Sequence, residues 1–266
     1  MEATAVKEST TLKIVREPKV YLVGRQVVNT EVVEEFLGDH GVTWQTDTEV
    51  GGEALAEMAG RVCYMSYGKG RKTNREFIGH IVEVGHGSVL EHAVWSFLIT
   101  GVSRSFTHEL IRHRHFSYSQ LSQRYVNESD SNFIEPDVIA GDPELHAIWR
   151  EAVDATRQAY DKLVEGLQKH YAGIPEVTLR RKLARQAARS VLPNATETKV
   201  FMTGNARALR HFIELRGSEH ADVEIRKVAV SMLVLMQKES PSLFADYRLK
   251  TLEDGTLVTH TEHPKV

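Results

Sequence analysis

The chain has 266 residues, 41% of them hydrophobic and 26% charged, with a formal net charge of −3. That length and balance fit one large or two small globular domains with a buried core, and they exclude a surface coated in basic residues for nucleic acid. The lone cysteine, Cys63, rules out a disulfide framework within the chain and fits a reducing compartment.

Residues 1–18 contain no apolar signal-peptide core, and no stretch approaches the roughly 18 apolar residues of a membrane span. A cytoplasmic location with no membrane partner is expected. Residues 19–28, KVYLVGRQVV, are a short β-rich run. Residues 51–66 have helical spacing, with Leu55, Met58, Ala59, Val62 and Cys63 on one apolar face expected to be buried. Residues 73–87 predict a second helix, opened by Thr73 with Glu76 in capping-box position and ended by Gly85 and Gly87. Ser88 and Glu91 stand in the same relation within GHGSVLEH (85–92), so a second capping box is expected there.

Residues 93–101, AVWSFLITG, alternate. Trp95, Phe97 and Ile99 point one way, and Ser96, Leu98 and Thr100 the other, which predicts a strand. Gly101 leads into a helix over 103–114, followed by an irregular Ser/Tyr-rich segment. Residues 142–175 are the longest helical pattern, with Asp142 at the N-cap, Pro143 in the first turn and Gly173 and Pro175 at the stop. A helix over 177–193, a strand over 196–204 and helices over 205–218 and 219–240 follow. The tail LEDGTLVTH carries an Asp-Gly hairpin signal. Residues 256–266 and 1–18 are expected to be flexible. With no repeat or linker, this alternation predicts a single helix-rich α/β (α+β) domain.

The chemistry concentrates in RHRHFSYSQLSQRY (112–125), where three arginines, two histidines, three serines and two tyrosines occur without an acidic residue. Arg104, Arg112, Arg114 and Arg124 are opposed locally only by Glu109. A guanidinium offers planar, permanently charged donors that match phosphate oxygens, and the interleaved hydroxyls and rings suit a phosphorylated, ring-bearing ligand. A solvated basic face is the plainer alternative. His108 and Glu109 open HELIRH, which resembles a zinc-binding helix, but the second histidine comes one residue late. At about 100° per residue the two rings stand about 140° apart, so no metal is expected.

Two further arginine groups stand out. Arg181, Arg185 and Arg189 recur every four residues, with Leu183, Ala187, Ala188 and Val191 as the side that buries the helix. Arg207, Arg210, His211 and Arg216 lie on or just after one helix; either they are ordinary surface with Glu214 as a partner, or Asn205, Arg207 and His211 line a ligand. Three such segments in an acidic chain suggest several anionic groups bound at once, and no Walker A or G-x-G-x-x-G loop is present to hold them.

RHRHFSYSQLS resembles the signature R-H-R, seven residues, S of the flavin-dependent thymidylate synthases. GHGSVLEH, RQAARSVLPNATET and HFIELRGSEHADVEIR are similar to that family in the same order, over about residues 50–245, and closest to its actinobacterial branch. The resemblance implies the family fold with a central mixed sheet. It implies conversion of dUMP to dTMP with 5,10-methylenetetrahydrofolate as carbon donor, FAD as hydride carrier and NADPH as reductant, in a homotetramer whose subunits share active sites. By the same resemblance Ser88, Arg112, His113, Arg114, Gln120, Asn205, Arg207 and His211 contact FAD. Glu109, Leu110, Ile111, Arg112, Gln120, Leu121, Ser122, Gln123, Arg124, Arg189 and Arg216 line the dUMP site, where Arg216 activates the uracil. Gln120 departs from the glutamate of many relatives, which leaves its hydrogen-bond role open. Cys63 reads as structural, because no histidine base stands beside it, and Ser122 as a phosphate contact. The competing readings are a nucleic-acid-binding module, which predicts steep salt dependence, and a metal-dependent hydrolase, which predicts sensitivity to chelators.

Overall fold

A computed structural model describes residues 12–266. In chain order the elements are β1 (Ile14–Val15), β2 (Lys19–Arg25), α1 (Thr30–Asp39), α2 (Gly51–Val62), α3 (Asn74–Glu83), α4 (Gly87–Leu90), β3 (Val94–Ser103), α5 (Arg104–Leu110), β4 (Ser117–Gln120), β5 (Phe133–Ile134), α6 (Asp137–Ala140), α7 (Pro143–His170) and α8 (Val177–Ala188). After a 3₁₀ turn at Arg189–Val191 come β6 (Glu197–Asn205), α9 (Ala206–Arg216), α10 (Val223–Glu239), β7 (Tyr247–Thr251) and β8 (Leu257–Thr261). The mixture of helices with parallel and antiparallel strand pairs is the α/β class that the sequence predicts. No helix among the described residues is long and apolar enough to cross a membrane.

The chain groups into two compact units. The first comprises the segment up to Glu17, Thr100–His108 and Gln120–Lys199. In it β1 pairs in parallel with β5, Ile14 opposite Phe133. The Asp142 carboxylate caps α7 by accepting from the N–H groups of Glu144 and Leu145, as its position before Pro143 predicts. Tyr160 and Val164 of α7 pack with Ala188 of α8, with Leu167, Val191 and Leu192 at the margin. The buried side of α8 is Ala184 and Ala188, while Leu183 is half-buried and Ala187 is exposed, so the expected stripe is displaced. Alanines at that face bring the α8 backbone close to α7, and the larger leucine is left at the edge.

The second unit comprises Pro18–Ile99, Glu109–Ser119 and Val200–Val266. Its sheet has the order β2-β3-β6-β4. Trp95, Phe97 and Ile99 are buried as the alternation predicts, together with Val200 and Met202. Helix α10 packs on β2, α9 and β8.

The structure corrects four expectations. First, α2 turns the other way. Glu53, Glu57 and Arg61 are buried, Leu55, Met58 and Ala59 are half-buried, and Val62 and Cys63 are exposed. Periodicity identifies a face but not which face points inward, and a buried carboxylate is tolerated when its lone pairs are filled. Glu53 accepts from Thr48 Oγ1 (2.9 Å), Ser240 Oγ (2.9 Å) and the Ser242 N–H (2.7 Å). Glu57 accepts from Trp44 Nε1 (3.1 Å), Thr46 Oγ1 (2.9 Å), Asn74 Nδ2 (3.0 Å) and Arg61 Nε (2.7 Å). Glycines bring this face close to its neighbours, since a Cβ on Gly52 or Gly60 would stand 2.7 Å from Trp95 or 2.8 Å from Phe77.

Second, the capping box forms at Thr73–Glu76 but not at Ser88–Glu91. Ser88 already lies inside α4, and the Glu91 carboxylate is drawn instead to Arg207 (2.7 Å). Third, the helix expected over 103–114 stops at Leu110, and the segment after it contains β4. The N–H groups of Arg112, His113 and Phe116 bond the carbonyls of Glu109, Leu110 and His113, three residues back, which tightens the chain into turns. Fourth, Leu257–Thr261 of the tail forms a strand of the antiparallel β7–β8 hairpin, with Tyr247 opposite Thr261. Of the N-terminal segment, residues 1–11 lie outside the described residues.

The hairpin is anchored by a buried ion pair. Arg210, expected on a helix surface with Glu214 as partner, is 0% exposed. It is bidentate to Asp246 (2.6 and 2.9 Å), donates to the Leu243 carbonyl (2.8 Å) and lies over the Tyr247 ring at 4.9 Å. Burial alone would raise the Asp246 carboxyl, but the bonds and charge of Arg210 hold it below its usual range. Removing one partner strands a buried charge. Asp246→Ala should therefore lower the unfolding free energy by about 3–5 kcal/mol, read from urea denaturation. A loss under about 1 kcal/mol would mean that water satisfies Arg210.

Candidate active site

In the second unit the site starts where α5 ends. Leu110 is fully buried, and the tight turns after it point alternate side chains in opposite directions: His113 goes inward while Arg112 and Arg114 stay exposed. The Tyr118 hydroxyl lies 2.7 Å from the Leu110 carbonyl and 2.9 Å from that of His113, which fixes the turn. The His113 ring packs against Phe212 at 5.1 Å, His211 at 5.9 Å and Phe116 at 6.1 Å. Gly204 makes room for Phe116, because a Cβ there would stand 2.3 Å from its ring.

Arg216, the last residue of α9, meets this turn. Its Nη1 is 2.6 Å from Glu109 Oε2, and its Nε donates to His113 Nε2 at 3.0 Å. A guanidinium can only donate, so His113 Nε2 accepts and the imidazole carries its proton on Nδ1. Burial first, then the charges of Arg216 and His211, push the His113 pKa down to about 4. The end of α9 is held from the tail: Thr259 Oγ1 donates to the Ile213 carbonyl (2.7 Å), and the Thr259 N–H bonds the Gly217 carbonyl (2.8 Å). A Cβ on Gly217 would stand 2.1 Å from Thr259 Oγ1, so only glycine fits under the hairpin.

At the other end of α9, Asn205 is the N-cap and its side chain accepts from the Ala208 N–H (2.9 Å). Arg207 crosses Gly87, with 2.9 Å between its Nε and the place a Cβ would take, and pairs with Glu91. Ser88, Arg207 and His211 are exposed, as is Ile111. Arg112 and Arg114 make no ion pair among the described residues.

The remaining candidates lie in the first unit. Gln120 Nε2 donates to Thr107 Oγ1 (3.2 Å) and Thr198 Oγ1 (3.3 Å). The Leu121 N–H bonds the Lys199 carbonyl (2.9 Å), and its own carbonyl accepts from Arg104 (3.3 Å). Ser122 Oγ accepts from the Arg124 N–H (3.4 Å), Gln123 is buried, and Arg124 is exposed over the Tyr125 ring. Burial lowers the Arg104 pKa; Glu128 opposes that and Arg189 adds to it, so two guanidinium groups stand close enough to repel. Such a pair suits a dianion. No group of three His, Cys, Asp or Glu that could hold a metal occurs among the described residues.

Glu109, His113, His211 and Arg216 are thus brought together, as are Arg207 and the helix bearing Ser88. Leu110 serves the core, with its carbonyl taken by Tyr118. Sequence reasoning missed Tyr118, Gly204, Gly217 and Thr259. Their only sequence signals are a tyrosine inside the basic segment and two glycines bracketing α9; nothing marks Thr259.

The arrangement gathers arginines, histidines and aromatic rings at the end of α5 and along α9. The Thy1 family model, thymidylate synthase complementing protein, matches residues 46–242, and the chain belongs to that family. The chain is 56% identical over 227 residues to the protein named flavin-dependent thymidylate synthase of Mycobacteroides abscessus, covering 84% of this chain and 90% of that one. The proteins of the same name from Mycobacterium avium and Mycobacterium tuberculosis are 56% and 55% identical over the same shares.

The His113 assignment has a pH signature. Its folded pKa of about 4 lies below the unfolded value near 6.5, so the unfolded chain binds more protons between the two. The stability His113 contributes is complete above about pH 6.5 and is lost as the pH falls through about 4. Urea midpoints of His113→Gln should therefore depend less on pH than those of the native protein across that window. Parallel profiles would show that the ring is not held neutral.

Proposed function

We propose that the protein is a flavin-dependent thymidylate synthase that converts dUMP to dTMP, with 5,10-methylenetetrahydrofolate as carbon donor, FAD as hydride carrier and NADPH as reductant. The observation that carries this reading is the split of the R-H-R turn: a neutral His113 joined to Arg216 inside, and Arg112 and Arg114 exposed without an ion pair among the described residues. Unpaired guanidinium groups suit a diphosphate-bearing flavin, and Ser88, Arg207 and His211 are likewise exposed to offer donors to it. When bound, FAD supplies the hydride that takes the transferred carbon to the methyl level.

The chain's residues do the rest. Arg112, His113, Arg114, Ser88, Asn205, Arg207 and His211 hold FAD. Ser122, Arg124 and Arg189 bind the phosphate of dUMP, and Gln120, Leu121, Gln123, Glu109 and Ile111 orient it. Arg216 holds negative charge on the pyrimidine as C5 becomes nucleophilic, which is electrostatic catalysis and needs no thiol. Glu109 and His113 aim that guanidinium. Cys63 differs from the sequence expectation in being exposed, and its Sγ lies 3.3 Å from the Ala59 carbonyl of its own helix. A homotetramer with active sites completed between subunits, in the cytoplasm, accompanies this reading.

Two variants test the mechanism. The native protein should purify yellow or take up FAD. Arg216→Ala should keep flavin and still oxidise NADPH with oxygen as acceptor, yet lose dTMP formation by about two to three orders of magnitude. Retained dTMP synthesis would remove Arg216 from the chemistry, and loss of both activities would point to the flavin site or the fold. Cys63→Ala should keep both dTMP formation and thermal stability, since the exposed thiol fills no core space. A folded Cys63→Ala protein that makes no dTMP would make the thiol catalytic.

A further inference from the structure

The segment between α2 and α3, YGKGRKTN (67–74), forms no part of the machinery above. Gly68 and Gly70 have φ of +67° and +77°, the left-handed region where glycine is favoured. The buried Arg61 guanidinium holds the loop from beneath, donating to the carbonyls of Ser66 (3.2 Å), Lys69 (3.2 Å) and Arg71 (3.0 Å). With those carbonyls turned inward, the N–H groups of Gly70 and Arg71 have no protein acceptor among the described residues. Lys69, Arg71 and Lys72 are exposed, and none has an ion pair among the described residues.

These three cations rim a cavity of about 660 Å³ whose other walls include Leu37, Trp44 and Gln45. The one carboxylate on its wall is Glu34; the Arg61 charge is already matched by Glu57. A second cavity of about 660 Å³ shares Glu34, Leu37, Trp44 and Gln45 with the first; Trp95 and valines line it together with Glu49 and the Arg25–Glu239 pair. An indole-walled chamber of mixed polarity therefore shares a wall with a cationic one, both within the second unit.

We propose that this double chamber binds the multiply charged tail of a ring-bearing co-substrate, with Lys69, Arg71 and Lys72 holding the anionic groups and the indole-walled chamber holding the body. The site rests on the proposed function for its candidate ligands. Within that reading the shared chemistry has two sources: the glutamyl carboxylates of a polyglutamylated folate, or the extra phosphate that separates NADPH from NADH. Each exposed contact is weak alone, but three donors converging on one polyanion should together improve affinity about tenfold.

The test uses the full chain as purified, with Lys69, Arg71 and Lys72 changed together to alanine. The Arg61 bonds go to loop carbonyls, which alanine keeps, and circular dichroism verifies folding. Calorimetry compares folic acid with its pentaglutamate, and NADPH with NADH, in the native and the triple-variant proteins. Loss in the variant of an approximately tenfold preference for pentaglutamate, with the NADPH-to-NADH ratio unchanged, assigns the site to the folate tail. Loss of the NADPH preference instead assigns it to the nucleotide phosphate. Native protein without either preference, or preferences unchanged in the variant, overturns the proposal. Binding ratios alone decide the site, so a native protein that makes no dTMP refutes the proposed function without deciding this one.

Discussion

The guanidinium of Arg216, shared between the Glu109 carboxylate and the Nε2 of a neutral His113, is the interaction on which the second unit's site depends. It ties the last residue of α9 to the turn after α5. Each side is braced from elsewhere: Thr259 of the tail hairpin holds the end of α9, and the Tyr118 hydroxyl holds the turn. The Arg210–Asp246 pair fixes that hairpin in turn, so a buried ion pair supports the segment that holds the end of α9 and Arg216. Burial holds the histidine neutral, and the same contact adds to it, because a cation donating to an imidazole disfavours a second positive charge on it.

Polar groups do much of the organising inside this protein. Glu53, Glu57 and Arg61 recur every four residues along the buried side of α2 and hold four separate stretches of chain: Trp44–Thr48, the basic loop, Asn74 and Ser240–Ser242. Buried charges carry a large desolvation penalty, which the bonds to Glu53, Glu57 and Arg61 offset, although Asn74 Oδ1 is left without a partner among the described residues. In exchange the network specifies geometry more tightly than an apolar seam, since each bond has a direction as well as a distance. The outcome is a helix whose apolar end, Val62 and the following Cys63, faces outward.

Much of this was legible beforehand. The alternation of Trp95, Phe97 and Ile99, the Thr73–Glu76 box and the Asp142-Pro143 start all appear as read, because each depends on residues adjacent along the chain. The basic segment 112–125 and the arginines of α9 also stood out, since their clustering is a property of composition. The capping box at Ser88–Glu91 failed for the opposite reason: a distant arginine, Arg207, competes for the Glu91 carboxylate and wins.

The sequence by itself determined the longer helices and strands, the family, and the chemical types available to the site, because propensity, capping and motif spacing act over a few residues. Tertiary structure alone decided that Arg210 is internal and that Arg216, six residues on along the same helix, meets Glu109 and His113, that His113 points in while Arg112 and Arg114 point out, and that α2 buries its charges. Those outcomes turn on partners far away in the chain, Asp246, Glu109 and Ser240 among them. A charged side chain's free energy is set by what surrounds it after folding, and a local pattern of residues carries no record of that environment.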